Sequence, residues 1–262
     1  MISEEDQIVR VEGLKKTFTL SRKQQKIEKT GISRKVAVDG LSFSAYRGQI
    51  YGLLGPNGAG KTTTLRMLST LIKPDAGDAF VCGHSIVREP SKVRDTIGFM
   101  TSDLKLEGFF TPSYLFDFFG AMHGVDKSVL AERKKTLFAR FGIDRFAEVK
   151  VQDLSTGMKQ KISLVVAIVH DPDVVIFDEP TNGLDVLTAK VVTDFLSELK
   201  EMGKSILLST HIFSLVEKLC DRVGIIIDGK MIVDGTLDEV RGESTLEEKF
   251  FDIYHSVKGE IV

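Results

Sequence analysis

Eight residues constrain this chain more than any others. Gly55-Pro56-Asn57-Gly58-Ala59-Gly60-Lys61-Thr62 matches G-x-x-x-x-G-K-[ST] in full. An apolar strand, Gln49 to Leu54, runs straight into it. Thr62 to Leu71 follows, with Leu65, Leu68 and Leu71 or Ile72 at helical spacing. A strand, a glycine-rich turn and a helix in that order make a phosphate cradle. Glycines let successive backbone N–H groups turn inward around an anion, and a side chain at Gly58 or Gly60 would crowd it. Lys61 brings a point charge to β- and γ-phosphates, the Thr62 hydroxyl can ligate Mg²⁺, and the helix presents its N-terminus to the anion.

A second feature belongs to the same chemistry. Asp173 to Phe177 is an apolar strand that ends in Asp178 and Glu179. Ligands sit at the carboxyl ends of parallel strands. Asp178 is placed to hold Mg²⁺ through water, and Glu179 to orient or deprotonate an attacking water, as phosphoryl transfer needs.

The rest of the chain alternates short strands with helical stretches, which argues a parallel sheet with crossover helices. Thr111 to Phe141 reads as helical with a break near Gly124, Thr156 to His170 as a further helix, and Val186 to Met202 as an amphipathic one. Ser205 to Leu208 and Val223 to Ile227 read as strands, and Ser244-Thr245-Leu246-Glu247-Glu248 carries a capping-box pattern for a last helix. Lys15 to Lys35 holds eight basic residues and one acid, and reads as an exposed connection or a long hairpin. Its charge admits two readings, a solvated loop or a patch that touches phospholipid head groups or a partner.

Hydrophobic residues at 42% allow a core of normal size, and a net charge of −2 gives no whole-molecule field for nucleic acid or acidic lipid. Cys82 and Cys220 form no C-x-x-C pair, so neither a zinc site nor a disulfide framework is suggested. The first six residues lack the basic start and apolar stretch of a signal peptide, and no apolar run approaches the roughly 20 residues of a membrane helix. The expectation is a chain that acts at a membrane only through a separate spanning partner.

Leu154-Ser155-Thr156-Gly157-Met158-Lys159-Gln160-Lys161, just upstream of the carboxylate strand, resembles the L-S-G-G-Q signature of ABC ATPases. Ser155 and the Gly157 backbone at a helix N-terminus form a second anion site. With the motifs in family order, the chain resembles an ABC ATPase over nearly its whole length. The resemblance implies an α/β phosphate-loop fold: a mixed-sheet core lobe, an N-terminal antiparallel β-subdomain and an inserted α-helical subdomain. It implies one domain over residues 1–262, with a nucleotide-binding lobe at about 8–102 and 171–242, helices at about 103–170 and a helical tail at 243–262. It implies ATP and Mg²⁺, with ATP held by Phe18 stacked on adenine and by Gly55, Pro56, Asn57, Gly58, Ala59, Gly60, Lys61, Thr62 and Thr63. The metal falls to Thr62 and Asp178, and catalysis to Glu179 and His211, the latter matching the switch histidine after Ser209-Thr210. Two such domains pair head to tail, as a homodimer or with a similar chain, so that each ATP also meets Leu154, Ser155, Thr156, Gly157 and Met158 of the other copy. Asp185, in Asn182-Gly183-Leu184-Asp185, then communicates across the pair.

Two departures are informative. Ser102 stands where the family's Q-loop has glutamine, and Thr156 and Met158 replace signature residues. This combination resembles the exporter branch that includes bacterial sodium-extrusion (NatA-like), drug and antibiotic exporters. Phe109, Phe110, Tyr114, Phe116, Phe118 and Phe119 crowd the region after Ser102, the face on which the family receives a helix of its membrane-spanning permease. The expected role is the ATP-hydrolysing subunit of an exporter, peripheral on the cytoplasmic face of the cell membrane and with no nucleic-acid partner. A soluble ABC ATPase of an assembly complex, such as iron–sulfur cluster assembly, shares the same catalytic motifs and stays open, as does an importer subunit.

Overall fold

The computed structural model describes residues 6–27, 31, 33–101 and 106–259. The chain opens on two long antiparallel strands, β1 (Gln7–Thr19) and β2 (Arg34–Tyr46), with a short helix, α1 (Arg22–Ile27), between them. The described part of the basic stretch is therefore the ends of two paired strands with a short helix following the first. β3 (Ile50–Leu54) enters the phosphate loop and α2 (Lys61–Leu68) leaves it. α2 stops before the expected Leu71 because Thr70 takes a φ of 60°, and the N–H of Leu71 turns back to the Arg66 carbonyl. β4 (Ala76–Val81), β5 (His84–Ser85), α3 (Pro90–Thr96) and β6 (Ile97–Thr101) follow.

A helical segment comes next. α4 (Pro112–Met122) is capped by Thr111, whose hydroxyl accepts from the Tyr114 N–H. α5 (Lys127–Phe141) begins after the break at Gly124, with Asp126 as its cap. α6 (Thr156–Ala167) begins at Ser155. The remainder alternates: β7 (Val174–Asp178), α7 (Val186–Glu201), β8 (Ser205–Thr210), α8 (Phe213–Leu219), β9 (Arg222–Ile227), β10 (Lys230–Thr236), α9 (Leu237–Arg241) and α10 (Leu246–Lys258).

Two sheets result. One is antiparallel, in the order β2-β1-β4-β5. The other runs β10-β9-β3-β8-β7-β6, parallel except for β10 at its edge. This is the α/β architecture expected. The parallel strands are buried on both faces, which is why they read as unbroken apolar runs. In β7, Val175 and Phe177 face a core shared with α4 to α8, whereas Val174 and Ile176 face a second core against the antiparallel sheet. β3 divides the same way, with Ile50 and Leu54 on one side and Tyr51 and Leu53 on the other. Both faces being packed, the strand ends are held rigidly, and the loops that leave their carboxyl ends inherit that rigidity.

Candidate functional site

The phosphate loop leaves the central strand β3 and closes on itself before α2. Gly60 sits at φ 107°, and a Cβ there would lie 2.3 Å from the Ala37 carbonyl oxygen, so only glycine fits. Gly60 is the N-cap of α2 and offers no side-chain cap, which leaves the first backbone N–H groups of the helix to other acceptors. The Lys61 ammonium is buried. It donates to the carbonyls of Gly55 (2.7 Å) and Pro56 (3.2 Å) and lies 3.9 Å from a Glu179 oxygen. Burial lowers its pKa, and the negative charges of Glu179 and Asp178 oppose that shift. A pocket of about 310 Å³ opens over this loop. Among its walls are Phe18, Lys35, Asn57, Lys61, Thr63 and Glu179. Phe18 is partly exposed at the mouth.

Asp178, the last residue of β7, is almost fully buried, with hydroxyls on its carboxylate. Thr62 donates to one oxygen at 2.9 Å, Ser209 donates to the same oxygen, and Thr101 to the other at 3.3 Å. The three hydroxyls come from α2, β8 and β6, so one side chain ties the phosphate loop to both strands that flank β7. Glu179 follows with φ 53°, a left-handed conformation costly for a residue with a Cβ. Its N–H donates to the Ser209 carbonyl at 3.1 Å, and its own carbonyl accepts from Asn182 at 3.1 Å, which hold the turn. One carboxylate oxygen meets His211 Nδ1 at 3.0 Å, and the other is buried without a hydrogen-bond partner. A buried carboxylate oxygen at a pocket wall is placed to accept a proton from a water bound beside it.

The signature residues lie apart from this pocket. Ser155 caps α6, its hydroxyl accepting from the Met158 N–H at 3.2 Å. Leu154 is buried, while Thr156, Gly157 and Met158 reach the surface. A Cβ built at Gly157 would lie 3.5 Å from Thr188 Oγ1 and 3.9 Å from Asp185 Oδ2. The structure thus brings Asp185 beside the signature turn, whereas neither lines the pocket over Lys61. Asp185 caps α7 through the N–H groups of Leu187 and Thr188, each at 3.0 Å. Ser102 falls outside the described residues.

Comparison with known proteins identifies the family. Residues 38–182 match the ABC transporter family. The chain is 37% identical over 205 residues to the ABC transporter ATP-binding protein NatA of Bacillus subtilis, covering 78% of this chain and 83% of that protein. It is also 37% identical over 233 residues to the Nod factor export ATP-binding protein I of Ralstonia nicotianae, covering 89% and 68%. A solved structure described as the ATP binding subunit of an ABC transporter superposes with a TM-score of 0.82 at 26% identity, over 94% of this chain and 99% of that one.

The chain belongs to the ABC transporter family. It is an ATP-binding, ATP-hydrolysing subunit of that family. Within this ABC ATPase, two of the groups that hold Asp178 escaped the motif reading. Thr101 and Ser209 reach it through strand register, Thr101 beside Asp178 on β6 and Ser209 on β8. The signal was present only as a hydroxyl residue at the carboxyl end of each neighbouring strand, and their order in the sheet is not written in the sequence. Lys35 was read as part of a basic stretch. It reaches the pocket because β1 and β2 pair Phe18 with Lys35.

Proposed function

We propose that this ABC ATPase drives an exporter by closing head to tail with a second nucleotide-binding domain around two ATP, and by passing that motion to a separate membrane-spanning chain at the cytoplasmic face. In this reading the backbone of Gly55 to Thr63 cradles the phosphates, Lys61 neutralises their developing charge, and Phe18 carries the adenine. Glu179 accepts the proton of the attacking water. His211 orients Glu179 and reaches for the γ-phosphate. Thr62 and Asp178 would hold Mg²⁺. Their oxygen donors suit that ion, which binds through one or two protein oxygens with substrate phosphates and water completing its shell. The ion would neutralise phosphate charge; the protein supplies position and the proton acceptor.

The observation that carries the transport reading is the apolar surface of the helical segment. Phe109 is 59% exposed, and Tyr114 and Phe118 also stand out into solvent. Phe110, Tyr114 and Phe118 stack in a row with centroids 4.4 and 6.0 Å apart, beside a cleft of about 180 Å³. Such a row suits an apolar helix laid into a groove. No helix of the described residues is long and apolar enough to cross a membrane; in this reading the spanning helix belongs to a separate chain. Val186 and Leu187, 84% and 79% exposed beside Asp185, support a facing second copy. The relatives, one of them a Nod factor export ATP-binding protein, support the direction of transport.

The test is a capture experiment. Tagged Glu179→Gln protein is isolated from gently solubilised membranes with ATP and Mg²⁺ present. A polytopic membrane chain in near-equal amount is expected. Soluble partners alone, with the protein absent from the membrane fraction, would turn the reading to an assembly-complex ATPase.

A further inference from the structure

The last helix follows from its own residues. Thr245 and Glu248 form a reciprocal capping box, and Phe250, Ile253, Tyr254 and Val257 then recur at helical spacing, so α10 has one apolar face. That face lies on the elements that carry two of the loops of the nucleotide site. At one end the Leu246 N–H donates to Glu217 of α8 at 2.8 Å. A turn later Phe250 and Phe251 close around Phe213, with ring centroids 5.1 and 6.1 Å away. Phe213 is the first residue of α8 and stands two residues after His211. The bend between them is tight, because the Ile212 N–H donates to Thr210 Oγ1 at 3.1 Å. A shift of Phe213 therefore carries the His211 backbone with it.

At the other end Lys258 donates to Asp228 at 2.6 Å. Asp228 and Gly229 form the turn between β9 and β10. The Gly229 N–H donates to the Ala59 carbonyl of the phosphate loop at 2.9 Å, and the Gly229 carbonyl accepts from Asp39 at 2.8 Å. One helix thus touches the segment behind His211 and the turn behind Ala59. Neither contact reaches the pocket itself.

We propose that α10 is a brace that positions the His211 turn through Phe213 and the phosphate loop through Asp228, and that Phe213, Phe250, Phe251 and Lys258 are positioning residues of the ATPase. This rests on the assignment of His211 and the loop to the nucleotide site. The two ends differ in kind. The aromatic end is well packed and acts on the turn that meets Glu179, so its loss lowers kcat. The ionic end is exposed and acts on the cradle, so its loss weakens nucleotide binding by a small factor.

The test uses the full chain with its ATP turnover and nucleotide affinity measured separately, and the thermal midpoint as a check of folding. Phe213→Ala is expected to lower kcat by about tenfold with little change in ATP affinity, and Phe213→Tyr to restore most of it. Phe251→Ala, at a more exposed position, repeats the test should Phe213→Ala not fold. Lys258→Asp and Asp228→Lys are each expected to weaken ATP binding by about twofold to fivefold, and the double exchange to recover it. His211→Ala is run beside them. If it loses turnover while both phenylalanine variants keep wild-type kcat and only melt earlier, the brace is refuted and the histidine assignment stands. If His211→Ala itself keeps full turnover, the assignment falls and the brace with it.

Discussion

Helix α2 starts from Gly60 in a left-handed conformation, with no side chain on its first N–H groups, whereas α6 starts from Ser155, whose hydroxyl already accepts from Met158. Both N-termini carry the positive end of a helix dipole and unpaired N–H groups, so both attract anions. The first is built into the chain's own interior. Lys61 is buried, Asp178 fastens Thr62 to two strands, and Glu179 is held in a strained turn beside it. The second lies at the surface, with Asp185 as its neighbour and Val186 and Leu187 projecting beyond. In the proposed reading the first is an anion site that a single chain completes, and the second is half of a site that a second nucleotide-binding domain completes. Changes near α2 should therefore damage binding or chemistry within one chain, and changes near α6 should damage turnover only.

The largest effect falls on Glu179. Glu179→Gln keeps the turn and the contact to His211 but removes the proton acceptor. Turnover is expected to fall by about 10²-fold or more while ATP still binds. Single-turnover hydrolysis with a nucleotide-binding control measures both. Normal turnover would exclude Glu179 as the base. Next comes Lys61→Ala, which deletes the buried ammonium of the cradle and takes from the Gly55 carbonyl its 2.7 Å donor. A loss of ATP affinity of about 10- to 100-fold is expected, on the scale of a hydrogen bond to a charged group. Equilibrium binding checks it, and unchanged affinity would sink the cradle assignment.

The α6 side predicts the opposite division. Gly157→Asp places a carboxylate at a surface turn near Asp185, where it repels an anion without touching the Lys61 pocket. Binding of ATP to dilute protein should stay within about twofold, while steady-state turnover falls by about tenfold and becomes more dependent on protein concentration. Equal losses of binding and turnover would erase the contrast between the two N-termini.

Legibility followed the same divide. The cradle could be read because its glycines, its lysine and its hydroxyl residue are adjacent in sequence and each has a local reason to be there. Asp178 and Glu179 could be read because an apolar strand announced them. The hydroxyls of Thr101 and Ser209 could not, because their meeting with Asp178 depends on which strands become neighbours. α3 was missed because only Val93 of its seven residues is buried, so it carries no apolar period. α1 sits in a run of cations and glutamines that resembles loop as much as helix. The brace on α8 lay outside any motif: Phe213 and Phe250 are far apart in sequence, and their contact is a product of the fold.

The smallest effect concerns how α6 is anchored. Beyond its last turn His170 meets the Ile97 carbonyl of β6 at 3.0 Å and stacks on His123 from the end of α4, with centroids 3.8 Å apart. Burial, and then the charge His123 would carry, lower the His170 pKa to about 4, with Arg133 adding to the fall and Asp171 and the Ile97 carbonyl opposing it. Burial lowers His123 as well, against the pull of Asp95. The native chain thus keeps both rings neutral at a pH where the unfolded chain has begun to bind protons. The stabilisation is complete above about pH 6.5, the ordinary histidine value, and is lost as pH falls from there toward 4. This attachment belongs to the signature side, because His170 follows α6 in the chain and its ring lies against His123 at the end of α4. Acid should therefore raise hydrogen exchange, corrected for its intrinsic pH dependence, in α6 before α2. His170→Phe keeps a stacked ring but takes up no proton, so its thermal midpoint should vary less between pH 7 and about pH 5 than that of the unmodified chain. An equal slope in both proteins would show that the acid-sensitive attachment lies elsewhere, and that the two N-termini differ in what covers them rather than in how firmly they are held.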